Sequence, residues 1–144
     1  MRSVHDLRMH GWFVGDGVSV ADRVIDHVLV GPAGVLAVQV RSSLDRDCAT
    51  RADVEARIAA RRLQHVLAVN EVAVEVVPAV LACGPGQPAT PGGVRVVDGV
   101  ALLFEDHAED WLGQLRCREL LDQRSVERAR DVVASMLEQA AAAA

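Results

Sequence analysis

The stretch Ile25–Arg41, IDHVLVGPAGVLAVQVR, decides the fold. Two apolar runs flank the turn signal Gly31-Pro32-Ala33-Gly34: Val24, Val28, Leu29 and Val30 before it, Val35, Leu36, Val38 and Val40 after it. β-Branched runs broken by Gly and Pro predict a strand hairpin. Runs this apolar predict strands covered on both faces, with helices lying over the sheet. Asp26 and His27 interrupt the first strand, and Gln39 and Arg41 the second. Polar groups in such strands need partners or a function, because burying them unpaired is costly. Antiparallel pairing across the turn brings Asp26 towards the Gln39–Arg41 end.

These same residues, DHVLVGPAGVLAVQVR, resemble the core of the nuclease-related domain (NERD) family, grouped with restriction-endonuclease-like folds of the PD-(D/E)XK type. Asp26-His27, Gly31-Pro32, Gly34-Val35 and the following strand match the family pattern, and the order of elements matches over about residues 12–115. The resemblance implies an α/β fold with a mixed central sheet, an antiparallel meander plus a parallel crossover strand, flanked by helices. It also implies a site in which two carboxylates bind Mg²⁺ and a lysine helps to activate water. Here the second acid is Gln39 and the lysine is Arg41. The Gly-Glu pair that family members carry on a preceding helix has no counterpart before Asp26.

At 144 residues the chain reads as one domain over 1–144, with 1–10 and 140–144 expected to fray. Hydrophobic residues make up 51% of it, which requires a folded core. No apolar run is long enough to span a bilayer, and the N-terminus has no apolar signal region, so the expected location is cytoplasmic with no membrane partner. Cys48, Cys83 and Cys117 contain no C-x-x-C pair, which argues against a disulfide framework or a zinc ribbon. A net charge of −5 argues against a general polyanion binder. All 15 basic residues are arginine, the composition of a GC-rich, bacterial type of genome.

Along the chain, Asp16-Gly17 between Trp12–Val14 and Val18–Val20 predicts a first hairpin. The meander then ends at Arg41, and residues 42–50 read as a polar loop. Thr50 and Asp53 form a variant capping box ahead of a helix from Arg51 to about Asn70, with Val54, Ile58, Leu63, Val66 and Leu67 as its apolar stripe. Glu75–Cys83 is a strand, parallel to the Arg41 strand, with Pro78 placing it at an edge or a bulge. Residues 84–93 are a Gly/Pro loop without a phosphate-binding pattern. Val94–Val97 and Val100–Leu103 turn about Asp98-Gly99. Glu105–Leu115 reads as a short helix on which His107 and Trp111 share a face, and Ser125 caps a last helix, Val126–Gln139.

The candidate catalytic set implied by the resemblance is Asp26, Gln39 and Arg41, with Asp26 the retained metal ligand. A neutral Gln39 weakens Mg²⁺ binding, since that ion prefers charged oxygen ligands, unless Asp22, Asp45 or Asp47 substitutes. Arg41 stays protonated and cannot act as a base, although it can grip a phosphate. Asp26 and Arg41 can equally be an ion pair within the sheet, with Gln39 hydrogen-bonded to a neighbour. Arg57, Arg61, Arg62 and Gln64 are the candidate nucleic-acid contacts, with Gln64 and His65 expected towards Asp26; the alternative is a solvated helix face carrying pairs such as Asp53–Arg57. Two functions follow: a NERD-like relative of Mg-dependent, DNA-processing nucleases with weak or lost phosphodiesterase activity, or a non-catalytic interaction module that forms a homodimer.

Overall fold

The computed structural model describes residues 8, 11–41, 46–82, 94–97, 99–104 and 121–143. Six strands and two helices follow one another as β1 (Phe13–Val20), β2 (Arg23–Gly31), β3 (Gly34–Arg41), α1 (Arg46–Val69), β4 (Val76–Ala82), β5 (Val94–Val97), β6 (Val100–Phe104) and α2 (Gln123–Ala143). They build one mixed sheet in the order β1-β2-β3-β4-β6-β5. The first three strands form an antiparallel meander. β4 joins β3 in parallel through the α1 crossover, and β6 joins β4 in parallel with β5 folded back on it. The α/β class, the hairpin at Pro32-Ala33 and the parallel crossover all agree with the sequence reading.

The first hairpin does not form at Asp16-Gly17. β1 runs through both residues and turns at Ala21-Asp22, where Val20 pairs with Arg23 and Ala21 takes φ +56°. Gly17 still uses its left-handed freedom, at φ +63°, but inside the strand. There the alternation of faces slips by one residue in both strands. Val14 and Leu29 pack on one face, whereas Val18, Ile25 and Val28 pack on the other. Asp16 pairs with His27 and Val18 with Ile25, while Gly17 and Asp26 between them form no rung. This paired kink re-aims side chains as a bulge does, but with no extra residue in either strand, so the register is kept.

Both described helices lie on one face. Ala59, Ala60, Leu63 and Leu67 of α1 and Ala129 and Val133 of α2 pack against Val18, Ile25, Val28, Val35 and Ala37. Fully burying a Leu of this kind contributes roughly 1.5–3 kcal/mol relative to exposure. The opposite face is apolar as well, with Trp12, Leu29, Leu36, Val38 and Leu81. The Trp12 ring lies over Gly31 so closely that an added Cβ would stand 2.7 Å from it. The expected helix at 105–115, the loop at 84–93 and the residues His5, His10, Asp45, Cys83, His107, Trp111 and Cys117 lie outside the described residues.

Helix boundaries differ from expectation for local reasons. α1 starts at Arg46, so Thr50 lies within it and does not cap it, and residues 46–50 are helix rather than loop. It ends as anticipated near Asn70, through a Schellman-type stop: Glu71 takes φ +63°, its N–H reaches Ala68 O, and Val72 N–H reaches Leu67 O at 2.8 Å. Pro78 sits on an interior strand, opposite Ala37, one residue before pairing with β6 begins at Ala79. α2 is capped by Asp122 rather than Ser125, whose N–H donates to Asp122 Oδ1 at 2.7 Å, and its helical bounds run from Gln123 to Ala143.

The hydrogen bonds from Ser125 hold the Asp122 carboxyl below its ordinary value of 3.8. A carboxyl depressed on folding stabilises above its unfolded value and loses that contribution as pH falls through its lower folded value. Asp122→Ala is therefore expected to lower the melting temperature by a few degrees at pH 7. Calorimetry should show this difference shrinking below pH 3.8. A pH-independent difference would mean that the carboxylate is not the cap.

Candidate functional site at the β2–β3 fork

Backbone pairing between β2 and β3 runs from the turn to His27–Val38, and β2 then leaves β3. Two side-chain bonds bridge the gap. Val40 N–H donates to Asp26 Oδ2 at 2.8 Å, and Gln39 Nε2 donates to Val24 O at 3.4 Å. Gln39 is the one buried polar residue among those described, at 6% exposure, and this bond explains how it tolerates burial. The kink at Gly17 and Asp26 supplies the geometry, because it turns the Asp26 carboxylate towards the strand that β2 has just left.

Arg41 completes the cluster. It lies two residues beyond Gln39 and therefore on the same face of β3, the one covered by α1. Its Nη1 stands 3.9 Å from Asp26 Oδ2 and donates to Val40 O at 2.8 Å, while Nη2 bonds Glu55 Oε2 on α1. The guanidinium thus sits between two carboxylates from different elements. Glu55 was missed as a site residue because the sequence shows it only as one acid among the charges of a helix.

These donors do not suit Mg²⁺. The ion needs several free, hard oxygens, and here one Asp26 oxygen already takes the Val40 amide. Gln39 has its amide turned to the backbone, and a fixed cation stands beside both carboxylates. Among the described residues no group of three His, Cys, Asp or Glu is arranged to hold a metal. Asp22 does not substitute: it is bonded to Arg62, which holds its carboxyl below the usual range. Asp47 belongs to the first turn of α1.

The candidate nucleic-acid residues separate onto two flanks of α1. Arg62 shares a flank with Glu55, seven positions earlier, and faces the β1–β2 turn through Asp22. Arg57, Arg61 and Gln64 follow an i, i+4, i+7 spacing along the other flank and line a hollow of about 660 Å³ with Glu75, Val76 and Pro78. Gln64 is not directed at Asp26; its Oε1 accepts from Val76 N–H at 2.9 Å. His65 lines a second hollow, of about 430 Å³, with Arg61, Arg62 and Ala21. Beside the kink, His27 Nδ1 lies 2.7 Å from Asp16 Oδ1, a contact between β2 and β1 that sequence spacing did not reveal.

No family model, curated protein or solved structure matches the chain.

If Asp26 serves as a substitute ladder partner, its acceptor oxygen matters more than its charge. Asp26→Ala leaves Val40 N–H without a partner and should cost about 1–2 kcal/mol, whereas Asp26→Asn should retain most of the stability. Urea denaturation of the two variants compares them directly.

Proposed function

We propose that the chain is a NERD-like protein of restriction-endonuclease-like descent, with weak or lost phosphodiesterase activity, that contacts nucleic acid through the arginines of α1. The observation that carries this reading is the placement of Arg41 between Asp26 and Glu55. A guanidinium held by two carboxylates takes over the charge-neutralising position that a catalytic cation would need, and it cannot polarise a phosphate or generate hydroxide as a metal does. Gln39, with its amide engaged by Val24 O, adds no compensating charge. Exposed Arg61 on one flank of the same helix, and Arg62 on the other beside Asp22, support contacts with phosphates. Neither support depends on net charge, which is −5 overall.

A second reading, a non-catalytic interaction module pairing with another copy of the chain, is favoured by one observation. Asp26, Gln39 and Arg41 all have intramolecular partners that account for a polar cluster inside an apolar sheet.

The Gln39→Glu/Arg41→Lys double variant separates the two. With Mg²⁺ or Mn²⁺ it should nick plasmid DNA at least about 10²-fold faster than wild type, and adding Asp26→Ala should abolish the gain. Wild type should retain salt-sensitive binding to single-stranded DNA that is weakened by replacing Arg57, Arg61 and Arg62 with Ala. A double variant that neither cuts nor binds, from a protein that sediments as a dimer, would overturn the nuclease reading and leave the interaction module.

A further inference from the structure

The hollow on the far flank of α1 is lined by charges of both signs that are not paired with each other. Arg61 of the helix and Glu75 of the segment entering β4 are both exposed, and neither has an ion-pair partner among the described residues. Arg8, Arg41, Arg62 and Arg128 each have one. Arg57 also lines the hollow, but its Nε and Nη2 are buried and the residue already has a partner, so it belongs to the wall and is not a contact. Gln64, one turn beyond Arg61, reaches the residue next to Glu75. Its Oε1 accepts from Val76 N–H at 2.9 Å, which leaves Nε2 to donate. That bond ties the helix edge bearing Arg61 to the strand end bearing Glu75. The volume of about 660 Å³ falls within the range of small-molecule sites.

We infer that this hollow binds a free α-amino acid with a small aliphatic side chain, held as its zwitterion. The carboxylate goes to Arg61, whose planar fork can take both oxygens, with the Gln64 amide as a further donor. The ammonium goes to Glu75, which accepts its hydrogen bonds. A single exposed ion pair contributes little, so neither half of the ligand suffices alone. A purely anionic ligand is repelled by Glu75 and a purely cationic one by Arg61, so the site selects molecules that carry both charges close together. Ala68, Val74 and Pro78 give the side chain an apolar surface, and with no aromatic ring in the lining they offer contact without stacking. The site needs no metal and uses none of Asp26, Gln39 or Arg41.

Titration of the full chain with L-valine, followed by ¹H–¹⁵N spectra without divalent cations or DNA, tests the proposal. Two analogues isolate the charges: isovalerate lacks the ammonium and isobutylamine lacks the carboxylate. Valine should shift the Arg61 and Gln64 side-chain resonances, and each analogue should need about tenfold more ligand or beyond for the same shift. Glycine, with no side chain to cover the apolar wall, should bind more weakly than valine. Arg61→Ala and Glu75→Gln change exposed positions, so the fold should persist, and each should weaken valine binding about tenfold or more, read at Gln64. Gln64→Glu keeps an acceptor for Val76 N–H while setting a negative charge against the ligand carboxylate, and should weaken binding in a folded protein. Valine that leaves these resonances unmoved, binds either exposed-site variant as well as wild type, or binds no better than isovalerate or isobutylamine would overturn the proposal. Because the titration involves neither cleavage nor DNA, failure of the nuclease reading leaves its outcome unaffected.

Discussion

The hydrogen bond from Val40 N–H to Asp26 Oδ2 is the constraint on which the rest of the site depends. β2 must part from β3 after His27, because the kink at Gly17 and Asp26 turns the remainder of β1 and β2 onto the helical face. A sheet that splits exposes backbone groups, and buried groups of that kind have to be satisfied. Asp26 and Gln39 satisfy them with side chains. The fork is thereby held open at a fixed width, and α1 lays Glu55 across it.

Arg41 follows from this arrangement. With two carboxylates brought together, one of them already sharing its oxygen with a backbone amide, a positive charge between them removes their mutual repulsion. Partly exposed ion pairs are each worth little, about 0–1 kcal/mol, so the cluster is better understood as setting local geometry and charge than as a source of stability. A divalent cation would have to displace a covalently tethered guanidinium whose effective concentration is high. This is the physical sense in which the proposed loss of metal-dependent chemistry is built into the chain, while the opposite flank of α1 turns Arg61 and Gln64 to a separate hollow.

The sequence displayed the parts of this fold whose signals are local. The Gly31–Gly34 turn between apolar runs, the crossover helix and the hairpin of Val94–Val97 with Val100–Leu103 could all be read directly. Asp16-Gly17 misled because the left-handed glycine that marks a turn serves equally well in a strand kink, whereas the real turn at Ala21-Asp22 contains no glycine. Pro78 misled because its tolerance depends on where the neighbouring strand begins. At the site, the convergence of Asp26 and Arg41 followed from hairpin pairing. Glu55 and the Asp22–Arg62 pair did not, since they depend on how α1 is rotated over the sheet, and an amphipathic pattern gives that only coarsely. The direction of Gln64 was hidden for the same reason.

The account turns on Arg41 filling a cation's seat between Asp26 and Glu55. Paramagnetic line broadening by dilute Mn²⁺ tests it most directly. Wild type should show no selective broadening of amide signals at residues 24–26, 39–41 and 55, and Arg41→Ala should show it at all three segments. Selective broadening there in the wild-type protein, or none in the folded variant, would contradict the account.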